Sequence, residues 1–111
     1  MYDLIIQNNA SREFFLYQGL ENVSSTELYL EFNPIDIDAP DGEYTYAVYE
    51  NDDSGVTYTF KTPILDTIVH QDNRDIALRE KRPYTGLMRV GTPSSNAVYD
   101  DENNTTYYYE G

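Results

Sequence analysis

The sequence predicts an all-β domain, a sandwich or barrel, and three observations predict it. Residues 43–50 alternate: Tyr44, Tyr46 and Val48 fall on one face, and Thr45, Ala47 and Tyr49 on the other. Asp41-Gly42 opens that run, and this pair supplies the backbone freedom of a tight turn. The same grammar recurs along the chain, with short β-prone runs separated by polar turn residues at the spacing of a sandwich or barrel.

The elements follow in order. Tyr2–Gln7 reads as a strand, Asn8–Ser11 as a turn and Arg12–Tyr17 as the returning strand of a first hairpin. Gly19 and Asn22–Ser25 form a loop. Thr26–Phe32 alternates cleanly, which places Leu28, Leu30 and Phe32 inward and Glu27, Tyr29 and Glu31 outward. Pro34 and Pro40 bracket an irregular connection that carries Ile35 and Ile37. The 43–50 strand leads through the polar loop Asn51–Gly55 into Val56–Lys61. Residues 62–85, bracketed by Pro63 and Pro83, read by default as a surface excursion that holds most of the basic side chains, with Ile64, Leu65, Ile68 and Val69 as a candidate strand within it. Gly86–Gly91 is a short strand. Residues 92–104 are polar and Thr105–Tyr109 is β-forming. The expected organisation is one β-sandwich domain over residues 1–91, followed over 92–111 by a polar linker and an extended terminal strand. The expected core is Leu4, Ile6, Leu28, Leu30, Phe32, Tyr44, Tyr46 and Val48.

Composition narrows the function classes. The chain of 111 residues has no Cys, so it has no disulfide, thiolate metal site or Cys nucleophile. The net charge of −13 argues against nucleic acid and anionic membrane surfaces as partners. The charge is uneven. Residues 1–55 hold twelve Asp and Glu against Arg12 alone, whereas residues 56–91 hold six Lys and Arg against four acids. Such a bipolar subunit can set its basic segment against an acidic neighbour or another copy of itself. The opening residues lack the basic and long apolar regions of a secretion signal, so production in a cytoplasm is expected.

Catalytic signals are weak. His70 is the single histidine, and it reads as a surface or strand-end residue. No phosphate loop, zinc-protease motif or nucleophile elbow is present. Asp36, Asp38 and Asp41 are spaced like hard-cation ligands, but Pro40 takes a potential ligand position and no acid closes the loop at the calcium-site distance. The twelve Tyr suit half-buried strands and interfaces, and an aromatic platform for sugar rings is the sharper alternative. Tyr107, Tyr108 and Tyr109 either close the domain's own sheet or add a strand to a neighbour.

Two resemblances sharpen this. Asp41-Gly42-Glu43-Tyr44-Thr45-Tyr46 resembles the corner that opens the penultimate strand of immunoglobulin-like and fibronectin-like sandwiches. That resemblance makes Tyr44 the corner residue, its hydroxyl turned back onto nearby backbone. The aromatic opening hairpin, Leu28-Tyr29-Leu30-Glu31-Phe32, Gly42-Glu43-Tyr44-Thr45-Tyr46, Thr85-Gly86-Leu87-Met88-Arg89-Val90-Gly91 and the Thr- and Tyr-rich close together resemble small virion proteins of Bacteroides tailed phages, including crAss-like phages. Those relatives set the two signature strands close together. Here residues 56–85 separate them, and the resemblance assigns that insertion no role.

The resemblance implies a non-enzymatic auxiliary or decorating capsid protein, made in the host cytoplasm and resident in the virion. It would act without a cofactor and bind the major capsid protein or other virion proteins in many copies. Arg74, Arg79, Lys81 and Arg82, with Tyr107, Tyr108 and Tyr109, are the expected interface. Two rival functions stand beside it: an acidic DNA mimic that blocks a DNA-binding enzyme, and a carbohydrate-binding module.

Overall fold

The computed structural model describes residues 1–26 and 28–91, so the expected strand over Tyr107–Tyr109 lies outside the described residues. Among the described residues seven strands form two antiparallel sheets. They are β1 (Tyr2–Asn8), β2 (Phe14–Leu20), β3 (Gly42–Glu50), β4 (Thr57–Thr59), β5 (Ile68–Gln71), β6 (Arg74–Ala77) and β7 (Tyr84–Val90). The first sheet has the order β2-β1-β3-β7 and the second the order β4-β5-β6. Immunoglobulin sandwiches pair their first, second, fifth and fourth strands in one sheet. The strand order here is therefore different.

The first sheet is covered on both faces. Ile5 of β1 pairs with Ala47 of β3, and these two, with Tyr49, face the second sheet across a core completed by Val56, Ile64, Val69 and Leu78. Phe14 stacks on Phe60 at 4.9 Å between ring centroids across the same gap. The opposite face carries Leu4, Ile6, Tyr44 and Val48. It is covered by the irregular segment 21–41 through Leu30, Phe32, Ile35, Ile37 and Ala39. Alternation in β1 and β3 thus separates two cores rather than a core and a wet face. The first hairpin closes on Asn8, whose side-chain oxygen accepts the N–H of Ala10 and of Ser11 at 2.8 Å each.

Two expectations are corrected. Thr26–Phe32 is not a strand: it contributes only the isolated bridge Asn22–Phe32, and Leu28 is 89% exposed. Its backbone is taken by local side chains. Asn22 Oδ1 accepts the N–H of Ser24 and of Glu31, Ser24 Oγ accepts that of Thr26, and Thr26 Oγ1 accepts that of Leu28. Such bonds compete directly with a sheet ladder. Leu30 and Phe32 are half-buried, as is Tyr46.

The second correction concerns residues 62–85. They are no surface excursion but supply β5, β6 and two 3-10 turns, Ile64–Asp66 and Leu78–Lys81. Buried Thr67 organises the stretch. Its hydroxyl accepts the Lys61 N–H at 3.1 Å and its carbonyl accepts the Leu78 N–H at 2.8 Å. Asp72 and Asn73, both at positive φ, make the two-residue turn between β5 and β6.

Candidate functional site

Tyr44 is fully buried at the start of β3, and its hydroxyl donates to the Pro40 carbonyl at 2.6 Å. The bond ties the end of the covering segment to the first sheet. Beside it, Tyr17 donates to Asp38 at 2.8 Å, and burial with that bond pushes its phenol up to about 12. Among the described residues no three His, Asp or Glu side chains converge as metal ligands, and Asp36, Asp38 and Asp41 form no such group.

The basic residues sit on and after β6. Arg74 and Arg82 point outward, Arg82 as the left-handed residue that ends the second 3-10 turn. Arg79 is ion-paired with Asp66. The Lys81 ammonium lies 5.8 Å from the Tyr49 ring centroid, within cation–π range. Arg74 thus stands at one end of β6 and Arg79, Lys81 and Arg82 beyond the other, with Arg79 and Lys81 engaged inside the molecule. Tyr107, Tyr108 and Tyr109 lie outside the described residues.

A buried polar centre escaped sequence reasoning. Asp3 is 2% exposed, and its carboxylate accepts from the Tyr58 hydroxyl, from Asn51 Nδ2 at 2.8 Å, from Gln18 Nε2 at 3.2 Å and from the Gly19 N–H at 3.3 Å. Because Tyr58 gives its only proton to Asp3, Tyr49 donates to Tyr58, at 2.5 Å. Burial, reinforced by the bond to Asp3, drives the Tyr58 phenol far above the usual tyrosine range, and burial pushes Tyr49 up to about 12. The signal was an acid inside the apolar run Tyr2-Asp3-Leu4-Ile5-Ile6. A buried carboxylate needs such a set of donors. With every donor supplied by the chain, the centre fastens β1 to β4 and the 51–56 loop.

His70 lies on β5 in a row of polar side chains. Its Nδ1 meets Asp75 Oδ1 at 2.8 Å and its Nε2 meets Thr59 Oγ1 at 2.7 Å. Carboxylate, imidazole and hydroxyl in series is the arrangement that activates a nucleophile. Acyl transfer also needs free donors aimed at a developing oxyanion. The β5 backbone around His70 is paired on both sides, to β4 and to β6. The row links β4, β5 and β6 side by side across the second sheet.

The remaining feature is an apolar groove of about 370 Å³ lined by Leu28, Tyr29, Leu30, Tyr46, Val48 and Tyr84. Gly86 stands opposite Tyr46 in the β3–β7 register and offers no side chain to fill it. Three of the six lining residues are Tyr, which is the platform a sugar-binding function would use. No helix among the described residues is long and apolar enough to cross a membrane. Comparison with protein families, with curated proteins and with solved structures finds no match to this chain.

Proposed function

We propose that this chain is a non-enzymatic structural protein of a phage virion, an auxiliary or decorating protein carried in many copies on the capsid. The observation that carries the reading is the segregation of charge. Residues 56–91 hold six bases against four acids, with Arg74 opening β6 and Arg79, Lys81 and Arg82 following its far end, while residues 1–55 hold twelve acids against one base. A shell accessory needs a rigid scaffold, solubility before assembly and an oriented contact. The acidic half supplies solubility, and the basic segment supplies orientation. The partners are the major capsid protein or other virion proteins, and the acidic half of a neighbouring copy is a further complement for the basic segment. Tyr107, Tyr108 and Tyr109 form the aromatic part of this contact. The immunoglobulin-like element of the reading rests on the Tyr44 corner alone, because the strand order departs from that fold.

Mass spectrometry of salt-washed particles from the phage that encodes the chain tests the assignment. The chain should be recovered in many copies per particle, and its absence would overturn the reading. Reversing Arg74 and Arg82 to Glu should weaken binding to particles, more at low salt than at high salt. Wild-type occupancy by that variant at low salt would remove the basic segment as the contact.

A further inference from the structure

Eight tyrosines lie among the described residues, and the protein engages five of them. Tyr2 packs edge-on against Phe32, and Tyr44 against Phe15 with its hydroxyl on Pro40. Tyr49 and Tyr58 pack against each other and share the Asp3 centre, and Tyr17 donates to Asp38. The other three are Tyr29, Tyr46 and Tyr84. Among the described residues their rings meet no other aromatic ring and their hydroxyls no protein partner. All three line the same groove. The β3–β7 register sets Tyr46 opposite Gly86 and Val48 opposite Tyr84, so a glycine stands beside one ring where a side chain would fill the space. The covering segment brings Leu28, Tyr29 and Leu30 to the other wall. Tyr29 is 56% exposed and Tyr84 60%.

Charge says what kind of ligand such a groove takes. No charged side chain lines it, in a chain of net charge −13. An ionic ligand would find no counter-charge there, and an acidic one would meet the repulsive field of the whole chain. What the groove does offer is flat apolar ring faces, aliphatic side chains between them, and phenols that both donate and accept hydrogen bonds. A sugar ring is the complement: its C–H face packs on an aromatic ring while its hydroxyls meet phenols and water. Size points the same way. A volume of about 370 Å³ stands at the small end of ligand sites, which run from about 300 to 1,000 Å³, whereas a protein partner of standard size covers about 800 Å². We propose that the groove between Tyr29, Tyr46 and Tyr84 binds an uncharged glycan, with the exposed rings of Tyr29 and Tyr84 as its stacking platforms. The inference stands whether or not the chain decorates a capsid.

Affinity electrophoresis of the full chain tests this, with soluble starch, dextran, mannan and mixed-linkage β-glucan as neutral probes and alginate as an acidic one. At least one neutral probe should retard the chain, and alginate should not. Tyr29→Ala and Tyr84→Ala each remove one ring, so the polysaccharide concentration that gives half-retardation should rise about tenfold. Tyr84→Phe keeps the ring and should stay closer to the wild type than Tyr84→Ala. Both positions are more than half exposed, so urea midpoints should match the wild type's and the lost binding then belongs to the groove. No retardation by any neutral probe overturns the proposal. Retardation that both alanine variants retain, or retardation by alginate alone, overturns it as well. A dimer in sedimentation velocity that Tyr84→Ala dissociates would give the groove to a second copy and overturn the glycan assignment.

Discussion

Tyr44 and Asp3 hold the molecule together by opposite means. Tyr44 is a fully buried ring with one polar bond, to the carbonyl of Pro40. Asp3 is a buried charge that needs several bonds to be tolerated. Their substitutions differ accordingly. Tyr44→Phe keeps the ring and loses one hydrogen bond, so it should cost about 1 kcal/mol, while Tyr29→Phe at an exposed position should cost little. Urea midpoints of the two variants decide this, and equal midpoints would show that the Pro40 bond contributes nothing. Asp3→Ala leaves the Tyr58 hydroxyl and the Asn51 amide without their acceptor. The expected loss is about 3 kcal/mol, read from the same denaturation curves. A loss below about 1 kcal/mol would mean that water replaces the carboxylate without penalty.

At the scale of elements, burial separates two leucines that the sequence does not. Leu28 lies in the cleaner alternating run, yet it is solvent-exposed; Leu78 sits in a polar stretch, yet it is fully buried. Leu28→Ala should therefore change stability by less than about 0.5 kcal/mol, and Leu78→Ala should cost about 3 kcal/mol, by thermal or urea unfolding. The contrast shows which parts of the fold were legible. β1 and β3 were, because a period of two in apolar residues is a direct image of a pleated strand buried against neighbours. Thr26–Phe32 carried the same period, but Asn22, Ser24 and Thr26 claim its backbone, and side-chain capping leaves no trace in hydrophobic pattern. Within residues 62–85 Ile68 and Val69 were readable as strand formers and do open β5, but the rest of the second sheet was hidden because its strands are only three or four residues long and their buried positions are spread among turns. The turn pair Asp72-Asn73 was the available signal. Of the site, the basic cluster was readable as composition, whereas the groove was not. The groove depends on Gly86 falling opposite Tyr46, a register that only the paired strands define.

For the whole molecule, buried phenols and net charge combine to set the alkaline limit of stability. Tyr49 is pushed by burial, and Tyr17 by burial and its bond to Asp38, from 10.0 up to about 12, and Tyr58 is raised further in the same direction. A folded-state value above the unfolded one means that the native chain holds protons that the unfolded chain has released. The unfolded state then binds fewer protons, and stability falls as pH rises. The contribution is complete below pH 10 and is lost as pH climbs through about 12, with Tyr58 extending the loss beyond that. Each phenolate also adds to a chain already at −13, so self-repulsion acts in the same window. Salt distinguishes the two effects, because it screens repulsion between exposed charges but barely touches the cost of desolvating a buried phenolate. Urea unfolding at pH 8, 10, 11 and 12, in low and high salt, should show a fall beginning near pH 10 that salt reduces only in part. Phenolate absorbance followed over the same range should leave Tyr17, Tyr49 and Tyr58 protonated until the chain unfolds. Tyr49→Phe should make the decline shallower, since it removes one of the retained protons. A decline abolished by salt and unchanged by Tyr49→Phe would assign the alkaline limit to net charge alone and separate it from the Asp3–Tyr58–Tyr49 centre.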